Sequence, residues 1–282
     1  MFDPSAVLVI SDGNNPAILG MISEIMNFSP DVISCDDGKV AEKFAAGNVA
    51  CVICFERDCA DNIGIQRLIY RYVCGRKDTS CVCFTESDND EKMFPTSVFG
   101  EECKLVIGTK LKLVPIDNDE ATVRDMMLLI FGEYAENPDK KAMAEAYNRV
   151  KRTIAAKLVR KYDCCGRKKY GCTYLTSAIA IVSDDPERLE LVTKTLYPAI
   201  ADEMKTSAAN VDRSMRHALY GGWKRSGGKF SVRYRDIYSV NFDLQPRNRE
   251  FIGEVSMYLA VRYRYIYDAG KRLAAQSVVV PA

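Results

Sequence analysis

The chain has one histidine and one tryptophan in 282 residues. No acid or nucleophile is arranged around that histidine, His217, so it reads as a structural or phosphate-facing residue and not as a catalyst. No apolar run approaches the ~18 residues needed to span a bilayer, which argues against a membrane protein. The N-terminal stretch MFDPSAVLVI lacks the basic segment of a signal peptide, so the expected location is the cytoplasm. Nothing like a Gly-rich phosphate loop follows the first apolar run, where SDGNNP stands, and an enzyme binding a nucleotide cofactor there is disfavoured.

Cysteine is plentiful, with eleven residues. A long chain without an export signal predicts reduced thiols. Cys51, Cys54, Cys81 and Cys83 lie in apolar runs and are expected to pack as small hydrophobes. Cys164, Cys165 and Cys172 cluster, but a structural zinc site wants four ligands in paired spacings. Three cysteines without a nearby histidine predict local packing, with no metal bound.

The net charge of +1 hides an asymmetry. Residues 1–140 carry 13 Lys and Arg against 24 Asp and Glu, residues 141–282 carry 26 against 14, and the halves stand at −11 and +12. Such a division suggests two domains with two tasks. A basic half is what a polyanion-binding surface requires.

In the acidic half, AVLVI (6–10), VACVICF (49–55), SCVCF (80–84) and KLVI or KLKLV (104–114) read as short buried strands. Helix-length amphipathic stretches at 15–28, 40–47 and 62–73 separate them. That alternation predicts a parallel, doubly wound α/β sheet with its site at the carboxyl ends of the strands. Ser11 and Asp12 follow the first run, Glu56 the second and Thr85 the third, and Gly64 opens a helix beyond Glu56. This order resembles the receiver domain of bacterial response regulators, a flavodoxin-like (βα)5 fold. The resemblance implies a magnesium ion held by acidic residues and a phosphoacceptor Asp after the third strand.

Several positions depart from that pattern. Ser11 stands in place of the first acid, Glu56 in place of the acceptor, and Val114 precedes Pro115 where a Lys is expected, with Lys110 and Lys112 close by. Losing a carboxylate weakens an oxygen cage for magnesium. The expected site of Asp12, Glu56 and Thr85 is therefore a pseudo-phosphorylation site, with no cofactor and magnesium doubtful. Two alternatives stay open: a shifted loop with Asp58 as acceptor, and a plain flavodoxin-like domain whose likeness is to a common fold.

EYAENPDKKAMAEAYN (133–148) reads as a linker that enters a helix after Asp139. RVKRTIAAKLVRKY (149–162) and YLTSAIAIVS (174–183) have helical spacing. DDPERLELVTKTLY (184–197) is expected to form one helix, capped by Asp184 or Asp185, with Pro186 at its first position and Pro198 ending or kinking it. PAIADEM (198–204) makes a short helix, Lys205 and Thr206 turn the chain, and Ser207 caps a helix over 207–221. There Val211, Met215, Ala218 and Leu219 form a buried stripe, with Arg213, Arg216, His217 and Tyr220 opposite and Asn210 and Asp212 flanking. A short helix, a tight turn and a second helix with polar residues near its start is the helix-turn-helix layout, in which Arg, Asn and acids read base edges.

The basic half resembles the C-terminal DNA-binding domain of the sporulation master response regulator of endospore-forming Firmicutes. The likeness runs over Gly171/Tyr174/Leu175, Val192–Ala201, Arg213/Arg216/His217 and Asn248/Glu250/Phe251, and covers roughly residues 150–265. It implies a helical domain that binds double-stranded promoter boxes, as a homodimer and with possible contact to RNA polymerase. By position Arg213 and Arg216 match the family's base- and backbone-contacting arginines, and Ser207, Asn210, Asp212, His217 and Lys224 are expected beside them at the DNA. Asp212 stands where the family has Glu and Asn210 where Arg is common, which bears on the sequence preferred. GGKFSVRYRDIYSVNF (227–242) either adds phosphate contacts or packs as a helix or hairpin edge.

The resulting expectation is α/β plus all-α. A receiver-like domain spans 1–135, a linker 136–148, a helix-turn-helix DNA-binding domain 149–268 and a tail 269–282. Function is transcription regulation without enzymatic activity. The alternative is an interaction module that has lost DNA binding, favoured if Arg213 and Arg216 are tied up in internal salt bridges.

Overall fold

The computed structural model describes residues 6–13, 15–27, 29–86, 95–99, 110–115, 119–132, 139–166, 169–234, 238–242 and 244–277. The chain divides into two compact units, Met1–Tyr147 with Ala269–Ala282, and Asn148–Asp268. A parallel-sheet α/β region is followed by a largely helical region.

In the first unit, β1 (Val7–Ile10), β2 (Asp31–Ile33), β3 (Cys51–Phe55), β4 (Ser80–Thr85) and β5 (Leu111–Pro115) form one parallel sheet in the order β2-β1-β3-β4-β5. That order is a doubly wound arrangement with its switch point between β1 and β3. β1 and β3 are buried at every position, as strands covered on both faces must be. The run 104–107 lies outside the described residues, and the strand forms from the second candidate, KLKLV with Pro115.

Several helices begin where side-chain acceptors stand. α1 (Pro16–Met26) starts on a proline, and α2 (Asp37–Ala46) is capped by Asp36, which accepts from the Lys39 amide at 2.9 Å. After the short α3 (Glu56–Cys59), α4 (Ile63–Cys74) is capped by Asn62, which accepts from the Ile65 amide at 3.1 Å. α5 (Thr96–Phe99) is one turn, and α6 (Glu120–Phe131) is capped by Asp119. Each cap satisfies an amide that the first turn leaves unpaired. Cys51, Cys54, Cys81 and Cys83 are buried thiols, as expected.

α7 (Lys140–Lys161) begins directly after Asp139, whose carboxylate accepts from the Ala142 amide at 2.9 Å. In the second unit α8 (Lys169–Asp184) lies against both α10 (Ala208–Arg225) and α11 (Asn248–Arg262). The helix expected over 184–197 is not one helix. Asp185 leads into a 3₁₀ turn at Pro186–Leu189, and a π turn at Val192–Leu196 runs into α9 (Tyr197–Glu203). Pro198 sits in the first turn of α9, where its missing N–H costs nothing, so it starts that helix instead of ending the previous one.

The second unit is not wholly helical either. Residues 227–242 hold an antiparallel pair, β6 (Phe230–Tyr234) and β7 (Tyr238–Phe242). Phe230 binds this pair to the core, with its ring 5.8 Å from Phe251 of α11 and 5.4 Å from Trp223 of α10. The last helix, α12 (Arg264–Ser277), runs through the first part of the segment read as a tail.

Candidate nucleic-acid interface

α10 enters through a tight turn. Lys205 takes the left-handed conformation (φ 51°), and Ser207 caps the helix by accepting from the Asn210 amide at 3.3 Å. Val211, Met215 and Leu219 are fully buried, with Gly222 continuing the stripe. Ala218 is half-buried against α8, because Gly171 lets the two helices approach: a Cβ on Gly171 would meet the Ser214 carbonyl oxygen, and the Ala218 Cβ at 2.7 Å.

At ~100° per residue, Asn210, Arg213, Arg216, His217, Tyr220 and Lys224 fall on the opposite side of α10. All six are exposed. Their local ties differ. Asn210 donates from Nδ2 to the Thr206 hydroxyl at 3.4 Å, and the Lys224 ammonium stands 5.4 Å from the Tyr220 ring centroid. Arg216 is paired with Asp212 one turn earlier. Arg213 and His217 border a cavity of about 430 Å³ between α10 and the start of α8, with Tyr170, Ser214 and Arg225. Among the described residues Arg213 forms no ion pair.

Asp212 is more constrained than its sequence position suggests. One carboxylate oxygen takes the Arg216 guanidinium. The other accepts from the Asn248 side-chain amide at 3.0 Å, and the same Nδ2 lies 3.2 Å from both the Asp212 carbonyl and the Tyr197 hydroxyl. Asn248 is buried, so it links α9, α10 and α11 at one point. Periodicity gave no sign of this link, because it joins residues 36 positions apart.

Among the residues that carry the family resemblance, two groups stand apart. Gly171, Tyr174, Leu175, Leu196, Tyr197, Ile200, Asn248 and Phe251 are buried packing or bridging residues, and Glu250 completes a capping box by accepting from the Arg247 amide at 2.9 Å. Arg213, Arg216 and His217 are exposed and contribute nothing to the core. The fold accounts for the first group, and its core does not require the second.

The loop before α8 departs from the expectation of reduced thiols. Cys165 and Cys172 are joined in a disulfide, with Cα atoms 5.1 Å apart. The chain turns sharply after α7, with Asp163 left-handed at φ 52°, and this brings Cys165 back to the first turn of α8. The spacing CCGRKKYGC was a visible signal, but spacing alone does not fix proximity.

At the strand ends of the first unit, the acidic residues face protein donors. Asp58 accepts from the Ser11 hydroxyl at 2.8 Å and from the Asp12 amide at 3.2 Å, while the Asp12 carboxylate accepts from the Cys35 amide at 2.9 Å. Glu56, 3% exposed, accepts from the Glu86 amide at 3.0 Å. Thr85 is fully buried, with a hydroxyl that finds no hydrogen-bond partner among the described residues. Lys110 donates to the carbonyls of Val73 and Arg76 at the end of α4. Among the described residues no group of three His, Cys, Asp or Glu is placed to hold a metal ion.

No helix among the described residues is long and apolar enough to cross a membrane. Residues 162–259, from the turn after α7 to the last turns of α11, match the family model described as Sporulation initiation factor Spo0A C terminal, and the second unit of this chain is thus similar to the C-terminal domain of that sporulation regulator.

Proposed function

We propose that the protein is a DNA-binding transcription regulator of the response-regulator type whose first unit is a pseudo-receiver. The observation that carries this reading is the face of α10. Arg213, Arg216, His217 and Lys224 are exposed opposite a fully buried stripe, on a helix preceded by a short helix and a tight turn, within the residues that match the sporulation-regulator model. In the helix-turn-helix reading α9 and α10 are the two helices, and α10 enters the major groove. The +12 charge of residues 141–282 supplies the attraction to phosphate.

The interaction-module alternative draws support from the Arg216–Asp212 pair. That pair lies within one helix, with Arg216 exposed and Asp212 half-buried, so it is worth only a few tenths of a kcal/mol and orients Arg216 without holding it from a phosphate or base. Arg213 is not held in this way. Mobility-shift titration against duplexes selected from a random pool tests the proposal. Binding should weaken steeply as salt rises, since released counterions drive it. No shift at low salt with any pool would end the DNA reading.

For the first unit, Glu56 is proposed as a fixed structural carboxylate in place of a phosphoacceptor, supported by its burial and its bond to the Glu86 amide. Incubation with acetyl phosphate and magnesium should leave the intact mass unchanged. A stable gain of one phosphoryl group, mapped to Asp58 or another Asp, would overturn that assignment.

A further inference from the structure

We propose that Cys165 and Cys172 form a reversible thiol–disulfide site that sets the order of α10 and so the strength of its basic face. The second clause rests on the DNA reading; the first does not.

The disulfide closes a seven-residue separation and ties the turn after α7 to the first turn of α8. The same turn is fastened to α10 from the other side. Arg225, in the last turn of α10, donates to the Asp163 carboxylate through Nε and to the Asp163 carbonyl through Nη2. Gly222 lies so close that a Cβ there would meet the Tyr162 carbonyl oxygen at 2.6 Å and the Cys164 sulfur at 3.1 Å. Gly166, next to Cys165, borders the cavity that also holds Arg213 and His217. The turn thus acts as a bracket between α8 and α10, and the disulfide is its covalent member.

The chemistry of the neighbours singles out this pair. Cys165 and Cys172 are half-buried, so a small thiol can reach a sulfur. Cys164 beside them is fully buried, and burial pushes its thiol up to about 12.

The exchange is balanced. A low-molecular-weight thiolate attacks one sulfur of the pair, the sulfur–sulfur bond breaks, and the other cysteine leaves as thiolate and takes up a proton. A second thiol then displaces the mixed disulfide. The net result is a protein dithiol and one low-molecular-weight disulfide, which is the oxidant in the reverse direction. After reduction the bracket depends on the exposed Asp163–Arg225 pair, a weak tie in water. The turn then opens more readily, and the end of α10 loosens with it.

The test uses the full chain prepared with and without dithiothreitol. Differential alkylation and peptide mapping should find Cys165 and Cys172 protected without reductant and labelled after it, with Cys164 unlabelled in both native samples. Labelling of both residues in the unreduced protein would overturn the proposal. Hydrogen exchange over residues 207–226 should be faster in the reduced protein and in the C165S/C172S variant, and duplex binding several-fold weaker in both. Equal exchange in the oxidised and reduced wild type, with the mass proving that the bond opened, would also overturn it. An exchange difference without duplex binding in either state would remove the DNA reading and leave the switch standing.

Discussion

Arg213→Ala is expected to weaken binding to a selected duplex by ~1–3 kcal/mol, roughly 5- to 150-fold, and to relax the preference at one base pair. The magnitude follows from what surrounds the residue. Arg213 is exposed and forms no ion pair among the described residues, so no internal interaction has to be broken before it meets DNA. Its removal leaves the core untouched, because the buried stripe of α10 lies on the opposite side. Thermal unfolding should be unchanged, and titration against the selected box and against single-base variants separates base reading from phosphate contact. A uniform loss across all variants would make Arg213 a phosphate ligand. Unchanged affinity would remove it from the interface. Arg216 differs, since its guanidinium is oriented by Asp212, which Asn248 holds in turn. Asn248→Ala should therefore perturb binding through Arg216 while also costing stability, by leaving the Asp212 carboxylate with one partner fewer.

Gly171→Ala is expected to destabilise the second unit by about 1–3 kcal/mol, the usual cost of inserting a carbon into a filled contact. The new methyl group would meet the Ser214 carbonyl oxygen and the Ala218 Cβ. The first is backbone, so α8 and α10 must move apart. Trp223 is the chain's only tryptophan and lies in α10, so its fluorescence follows unfolding of this unit specifically. The denaturation midpoint should drop clearly for Gly171→Ala. It should drop less for Gly253→Ala, where the nearest atom is the flexible end of Leu189 at 3.2 Å. Equal midpoints for wild type and Gly171→Ala would show that the helices accommodate the methyl group, and that the glycine is not what sets their approach.

Much of this architecture was legible in the sequence where a signal is local or periodic. The apolar runs after Ser5, Asn48 and Thr79 became β1, β3 and β4 because continuous apolar segments of that length can only be buried on both faces. Asp139 and Ser207 announced α7 and α10, because a short oxygen-bearing side chain satisfies the amides of a first turn. The 3.6-residue spacing of Val211, Met215 and Leu219 fixed which side of α10 faces inward, and so which residues face out.

Local signals failed where a partner lies far along the chain. The segment 184–197 has helical spacing, yet it forms a 3₁₀ turn and a π turn. Asp212, a residue expected at the DNA, also accepts from Asn248, 36 positions later, and no local pattern announces that bond. Asp58 and Ser11 are 47 positions apart, and no spacing rule predicts their hydrogen bond. Cys165 and Cys172 showed their spacing but not their approach, which the left-handed turn at Asp163 creates. Composition and periodicity act over a few residues, and they are enough to separate an acidic α/β half from a basic, largely helical half and to mark the side of α10 that faces out. Which charged groups are already engaged within the fold is visible in the folded chain alone, because each pairing depends on where distant segments meet.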